Sequence, residues 1–90
     1  MRIHEIVWTQ DRVDHIARHH VVPDEVEELW ESKIYLVRSR SGRYQALGQT
    51  AAGRYLTCVF ERSDEPGQVR VVTARDMNDK ERRLFWRKVR

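Results

Sequence analysis

Between residues 33 and 75 the chain reverses direction three times, at Ser41-Gly42, Ala52-Gly53 and Pro66-Gly67, and this spacing constrains the fold more than any other feature. The segments so divided, Lys33 to Arg40, Arg43 to Thr50, Arg54 to Arg62 and Gln68 to Arg75, read as four successive strands. Connections this short permit only antiparallel neighbours, because parallel strands need a long crossover. A helix is predicted on each side of this block. Thr9 is placed to cap a helix over Gln10 to His19, with Val13, Ile16, Ala17 and His20 on one face. Pro23 opens a second helix whose apolar stripe is Val22, Val26, Leu29 and Trp30. Asn78 and Glu81 have capping-box spacing at the start of a closing helix, Asp79 to Arg90, whose inward residues are Met77, Leu84, Phe85 and Val89. With a first strand over Ile3 to Trp8, the order is β-α-α-β-β-β-β-α. That is an α+β chain, a single small domain over residues 1–90 with a mainly antiparallel sheet, and its helices are expected to cover one sheet face.

The net charge of +3 is unevenly spread. Residues 1–32 hold three Lys/Arg and eight Asp/Glu, residues 33–62 six and one, and residues 63–90 eight and five, so the last two-thirds is basic. A basic surface attracts polyanions through its field and through counterion release. Strand alternation puts Leu56, Cys58 and Phe60 on one face, with Arg54 and Arg62 on the same parity, and Tyr55, Thr57, Val59 and Glu61 on the other. On the last strand Val71, Thr73 and Arg75 are expected to share a face. An open sheet face carrying tyrosine and arginine suits single-stranded RNA, where aromatics stack on bases and guanidiniums hold phosphates. The lone Cys58 cannot form an internal disulfide, no apolar run has the length of a membrane span, and Met1 to Glu5 lacks a signal-peptide core; together these point to the cytoplasm.

Two stretches, Trp8 to Val21 (WTQDRVDHIARHHV) and Val69 to Arg83 (VRVVTARDMNDKERR), resemble the BrnT family of bacterial toxins, small RelE-fold ribonucleases that pair with a neutralising antitoxin. Between them, Arg43 to Thr50 with Gly53-Arg54 is similar to the family's Ala-Ile-Gly-Arg-Thr and Gly-Arg segment. Three features depart from that pattern. The first helix is about one residue shorter before its basic-His pair, His20 stands where the family often has Gly, and Val22 replaces a Ser or Thr cap. The resemblance implies metal-independent RNA cleavage by attack of the ribose 2′-hydroxyl, giving a 2′,3′-cyclic phosphate and a 5′-hydroxyl and inhibiting translation.

Matched positions imply that Arg12, Arg18, Arg62 and Arg75 surround the phosphate, with Thr73 as a hydrogen-bonding neighbour and His19 as the acid/base group. RNA contacts are expected at Arg18, Arg54, Tyr55 and Arg83. His15 and His20 read as surface and boundary histidines, and Cys58 as core. No metal or cofactor is implied: His15 and His19 have the i, i+4 spacing of a zinc helix, but Ile16 occupies the glutamate position and no third ligand accompanies them. The implied partners are an RNA substrate and a ribbon-helix-helix-like antitoxin, in a homodimer or a toxin–antitoxin heterotetramer, with no membrane. Two alternatives stand beside this: a non-catalytic RNA- or protein-binding module on the same fold, and a ParE-like toxin with a protein target.

Overall fold

The computed structural model describes residues 5–39 and 41–89, so Ile3 and His4 of the expected first strand, Arg40, and the end of the closing helix at Arg90 lie outside it. The elements are β1 (Glu5–Val7), α1 (Gln10–Ala17), α2 (Pro23–Trp30), β2 (Tyr35–Arg38), β3 (Arg43–Gln49), β4 (Tyr55–Arg62), β5 (Gln68–Asp76) and α3 (Asp79–Val89). They form one sheet in the order β1-β5-β4-β3-β2. β2 through β5 are antiparallel neighbours, as the turns require, and β1 joins the outer edge of β5 in parallel. The chain thus starts at one edge, crosses a face through α1 and α2, and returns at the far edge as β2. The α+β class and the element order follow the sequence expectation.

The expectation that the helices share one face does not hold. Ile16 of α1 and Val26 and Leu29 of α2 pack on Ala46, Leu56, Cys58, Phe60, Val69, Val71 and Ala74. Phe85 of α3, with Leu84 and Val89, packs on the reverse face against Leu47, Tyr35 and Tyr55, joined by Met77. The central strands carry apolar side chains on both parities, Ala46 beside Leu47 and Leu56 beside Tyr55, so each face has an apolar patch to cover. Burying each large side chain of such a patch is worth about 1.5–3 kcal/mol, enough to hold α3 on the side expected to be open.

A bulge changes the parity of β5. Val59 pairs with Thr73 and Phe60 with Val71, which leaves Val72 as the extra residue. Val71 therefore turns into the core beneath α1, alongside Val69, and does not share a face with Thr73 and Arg75 as strict alternation predicts. Among the described residues no helix is long and apolar enough to cross a membrane.

The turn from α1 to α2 is held by Arg54, at the start of β4. Its guanidinium donates to Asp76 Oδ1 at 2.8 Å, to both carboxylate oxygens of Glu25 at 3.1 and 3.2 Å, and to the carbonyls of His19 and His20. Glu25 also accepts from the Val22 amide at 3.1 Å, which supplies an N-terminal bond to α2 although valine has no capping oxygen.

In this same turn His20 has φ 61°, the left-handed conformation that ends α1. A non-glycine residue there costs roughly 1–2 kcal/mol, offset in part by its smaller unfolded-state entropy. His20→Gly is therefore expected to stabilise the fold by about 0.5–1 kcal/mol, read as a higher urea midpoint at unchanged slope; an unchanged or lower midpoint contradicts the strain.

Candidate active site

α1 begins at Thr9, whose hydroxyl accepts from the Arg12 amide at 3.3 Å. From that start, residues three and four apart fall on one side of the helix. Arg12 and His15 so placed lie along β5 where β1 has already ended and the strand's edge is bare. Arg12 Nη1 donates to the carbonyl of Val72, the bulged residue, at 3.2 Å. His15 Nε2 and Thr73 Oγ1 share a hydrogen bond of 3.1 Å whose direction depends on the imidazole tautomer. The bulge thus aims one carbonyl and one hydroxyl at α1, and α1 meets them with a cation and an imidazole.

An open cleft of about 610 Å³ runs beside these contacts. Its chemically active lining is Arg12, His15, Arg18, Arg70 and Glu61, with Asp11 and Asp14 also in its wall. Glu61 sits between Arg70 Nε at 3.5 Å and Arg43 Nε at 3.7 Å. Asp14 accepts from Gln10 Nε2 at 2.8 Å. Guanidiniums that match phosphate, an imidazole that can give or take a proton and a carboxylate are the groups needed to stabilise a phosphorane and move protons around it.

Of the expected site residues, Arg12, Arg18 and Thr73 come together here. His19 does not. α1 ends at Ala17, so His19 lies past the last turn; it is exposed, with its ring centroid 5.8 Å from that of His15. His15, read from sequence as a surface residue, is the histidine that reaches Thr73, and Arg70 and Glu61 are cleft residues that the sequence reading does not name as site residues. Their signal was available as spacing: Arg12 and His15 are three apart on one helix, and Glu61 and Arg70 are a cross-strand pair.

Four other expected residues are placed elsewhere. Arg62 is exposed at the end of β4, paired in register with Val69 on the α1–α2 face. It stands five positions along β4 from the Thr57–Arg75 pair, about 17 Å at strand spacing, so Arg62 and Arg75 cannot grip one phosphate. Arg54, expected on RNA, is filled by Asp76, Glu25 and two carbonyls; the bond to Asp76 dominates in raising its pKa, and that bond in turn holds the Asp76 carboxyl below its usual range. Tyr55 is covered: Arg82 lies 4.9 Å over its ring, its hydroxyl accepts from Trp86 Nε1 at 3.2 Å, and Phe85 packs at its edge. Arg83 is exposed on α3, away from α1. Among the described residues no three potential metal ligands converge.

Arg75 is committed to α3. Nη1 and Nη2 donate to the two Glu81 oxygens at 2.8 and 3.0 Å, so the guanidinium expected on the phosphate is paired within the fold. Glu81 also accepts from the Asn78 amide at 2.9 Å and from Gln45 Nε2 at 2.7 Å, while Asn78 Oδ1 accepts from the Glu81 amide, completing the expected capping box. Gln45 continues the network to the buried Thr57 hydroxyl at 2.8 Å. Burial pushes the Glu81 carboxyl upward, but the bonds from Arg75, Asn78 and Gln45 together pull it below its ordinary 4.5.

The profile of the family described as the ribonuclease toxin BrnT of type II toxin–antitoxin systems matches residues 8–81. Among solved structures, the ribonuclease toxin BrnT of Brucella abortus, determined at 1.1 Å, is similar with a TM-score of 0.63 at 18% identity, covering 83% of this chain and 97% of that one. At that identity the likeness is one of fold. No curated protein matches.

Because the folded Glu81 carboxyl is depressed, its stabilising effect is complete above the unfolded value of 4.5 and is lost as pH falls through the folded one. Glu81→Gln is expected to lower stability at neutral pH and to converge with wild type in acid. Urea unfolding of both proteins across that range checks this; a constant gap at every pH contradicts it.

Proposed function

The chain belongs to the family of BrnT ribonuclease toxins of type II toxin–antitoxin systems, and on that premise we propose that it cuts RNA in the cleft between α1 and the β5 bulge. As a member of that family it is a ribonuclease with an antitoxin as its counterpart. The observation that carries the choice of site is the His15–Thr73 hydrogen bond beside Arg12, in a cleft that also holds Arg18, Arg70 and Glu61.

In this reading Arg12, Arg18 and Arg70 bracket the scissile phosphate and offset the charge of the phosphorane. Glu61 takes the proton of the 2′-hydroxyl as the 2′-oxygen bonds to phosphorus. His15, held in place by Thr73, gives its proton to the 5′-oxygen as the phosphorus–oxygen bond breaks. The products are a 2′,3′-cyclic phosphate and a 5′-hydroxyl, and exchange with water resets both groups. No metal takes part in these steps. Arg75, Arg54 and Arg62 stay outside the reaction, and His19 acts only as a neighbour of His15.

The antitoxin is in this reading a ribbon-helix-helix-like protein that neutralises through an acidic segment, in a toxin–antitoxin heterotetramer. The cytoplasm, where RNA and the antitoxin meet and Cys58 stays reduced, is the place of action.

General acid–base groups contribute typically 10²–10⁴-fold, so His15→Ala is expected to reduce single-turnover cleavage by about that factor with EDTA present, while His19→Ala stays within a few-fold of wild type. A folded His15→Ala protein that cleaves at the wild-type rate, or products lacking the cyclic phosphate, would remove this mechanism.

A further inference from the structure

On the reverse face of the sheet an open groove of about 560 Å³ lies between α3 and the strands, lined by Tyr55, Phe85, Trp86, Val89, Lys33 and Gln49. Trp86 is 40% exposed there. A single exposed apolar residue is ordinary on a protein surface, but this indole is fixed. Its Nε1 donates to the Tyr55 hydroxyl at 3.2 Å, and its ring meets the Tyr55 ring edge-on at 5.9 Å and 76°. The polar handle is used internally, so what remains exposed is π-surface.

Cations surround it. The Arg82 guanidinium lies over both rings, 4.9 Å from the Tyr55 centroid and 5.8 Å from that of Trp86. Arg83 and Arg87 are exposed on the same helix, Arg83 one turn before Trp86, and Lys33 stands in the groove wall. A rigid aromatic among guanidiniums is the composition of a platform for single-stranded nucleic acid.

We propose that Trp86 stacks on a base of the RNA substrate, outside the cleavage cleft, with Arg83 and Arg87 on the flanking phosphates. The proposal rests on the ribonuclease reading for its ligand. Continuity favours RNA over an acidic protein segment. Tyr55, Thr57, Val59 and Glu61 lie on one face of β4, Tyr55 under Trp86 at one end and Glu61 in the cleft at the other. Six strand positions span about 20 Å, a length that a few extended nucleotides cover. That face is open at Glu61 and Val59 and closes at Thr57, buried beneath Gln45 and Glu81, so a strand leaving the cleft passes from the sheet onto α3, whose exposed side carries Trp86. Sequence reading expected a stacking aromatic on this face at Tyr55; the structure moves that role to Trp86, which covers it.

The test uses the full chain and a fluorescent octanucleotide of 2′-O-methyl RNA, in which the attacking hydroxyl is blocked and only binding is read. Trp86→Ala is expected to weaken affinity roughly ten-fold, and Trp86→Phe to keep most of it. Arg83→Ala, at an exposed position, is expected to reduce the salt dependence of binding by about one unit. A folded Trp86→Ala protein that binds within about two-fold of wild type overturns the proposal, as does one that loses binding to polyglutamate while its RNA affinity is unchanged. Where Trp86→Ala fails to fold, Arg83→Ala decides: an unchanged affinity and salt slope overturn the proposal. Cleavage of the unmodified octanucleotide is read separately; its absence, with affinity still dependent on Trp86, removes the cleft assignment and leaves the stacking site standing.

Discussion

The guanidinium of Arg54 holds the molecule together where four elements meet. From the residue before β4 it reaches the end of β5 through Asp76, the first turn of α2 through Glu25, and the turn after α1 through the carbonyls of His19 and His20. A partly buried charge is tolerated only when its donors are matched, and breaking one side of such a set leaves the other uncompensated. At the same end of the sheet, on the opposite face, Arg75 and Glu81 fasten α3 in a bidentate pair. The two clamps use adjacent β5 residues, Asp76 and Arg75, whose side chains alternate across the sheet. Helices on opposite faces are thus fixed to neighbouring positions of one strand, and both arginines are consumed in doing so.

With those arginines occupied, the cations left to the proposed chemistry lie where the sheet is irregular. β1 pairs with the first three residues of β5, so among the described residues the rest of β5 has no outer strand, and the bulge at Val72 leaves a carbonyl facing outward. An exposed strand edge invites pairing with another chain. Here α1 covers it, and Arg12 bonds the outward carbonyl. The same helix that protects the edge carries His15 to Thr73 and Arg18 to the cleft wall. The bulge re-aims Thr73 while its neighbours Val71 and Ala74 remain in the core, so a local defect in the ladder creates the contact that the proposed chemistry uses.

The elements were legible because their signals are local: the turn glycines, the Thr9 cap, the proline at the start of α2 and the Asn78–Glu81 box all fall where the sequence places them. Sequence places Arg54 and Arg75 on the substrate because a basic residue on a strand looks the same whether it meets phosphate or carboxylate. Their partners, Glu25, Asp76 and Glu81, come from helices and strand ends whose docking no periodicity encodes. The sequence does not separate His15 from His19 for a related reason. Which of two histidines four residues apart reaches the sheet depends on where α1 stops, and the left-handed turn at His20 stops it early. The bulge was invisible for a third reason: nothing in Val71-Val72-Thr73 distinguishes a regular strand from one carrying an extra residue.

The small net charge conceals a large separation of charge across the sheet. α2 and the residue after it carry Asp24, Glu25, Glu27, Glu28 and Glu31 on one side, while α3 carries Lys80, Arg82, Arg83, Arg87 and Lys88 against Asp79 and Glu81 on the other. The two helices are separated by two packing layers of about 10 Å each, well beyond a Debye length of about 8 Å at physiological salt. The acidic helix therefore does little to cancel the basic one in solution, and a polyanion meets the α3 face as if the protein were strongly basic. The charge of the N-terminal third, read as a sum, suggests that α1 belongs to an acidic surface. Read by position, that charge falls mostly on α2, and the cleft wall sets Arg12, His15 and Arg18 beside Asp11 and Asp14. In the proposed reading, long-range field and local site are thus supplied by different helices, α3 drawing RNA to one sheet face and α1 holding the reactive groups at its edge.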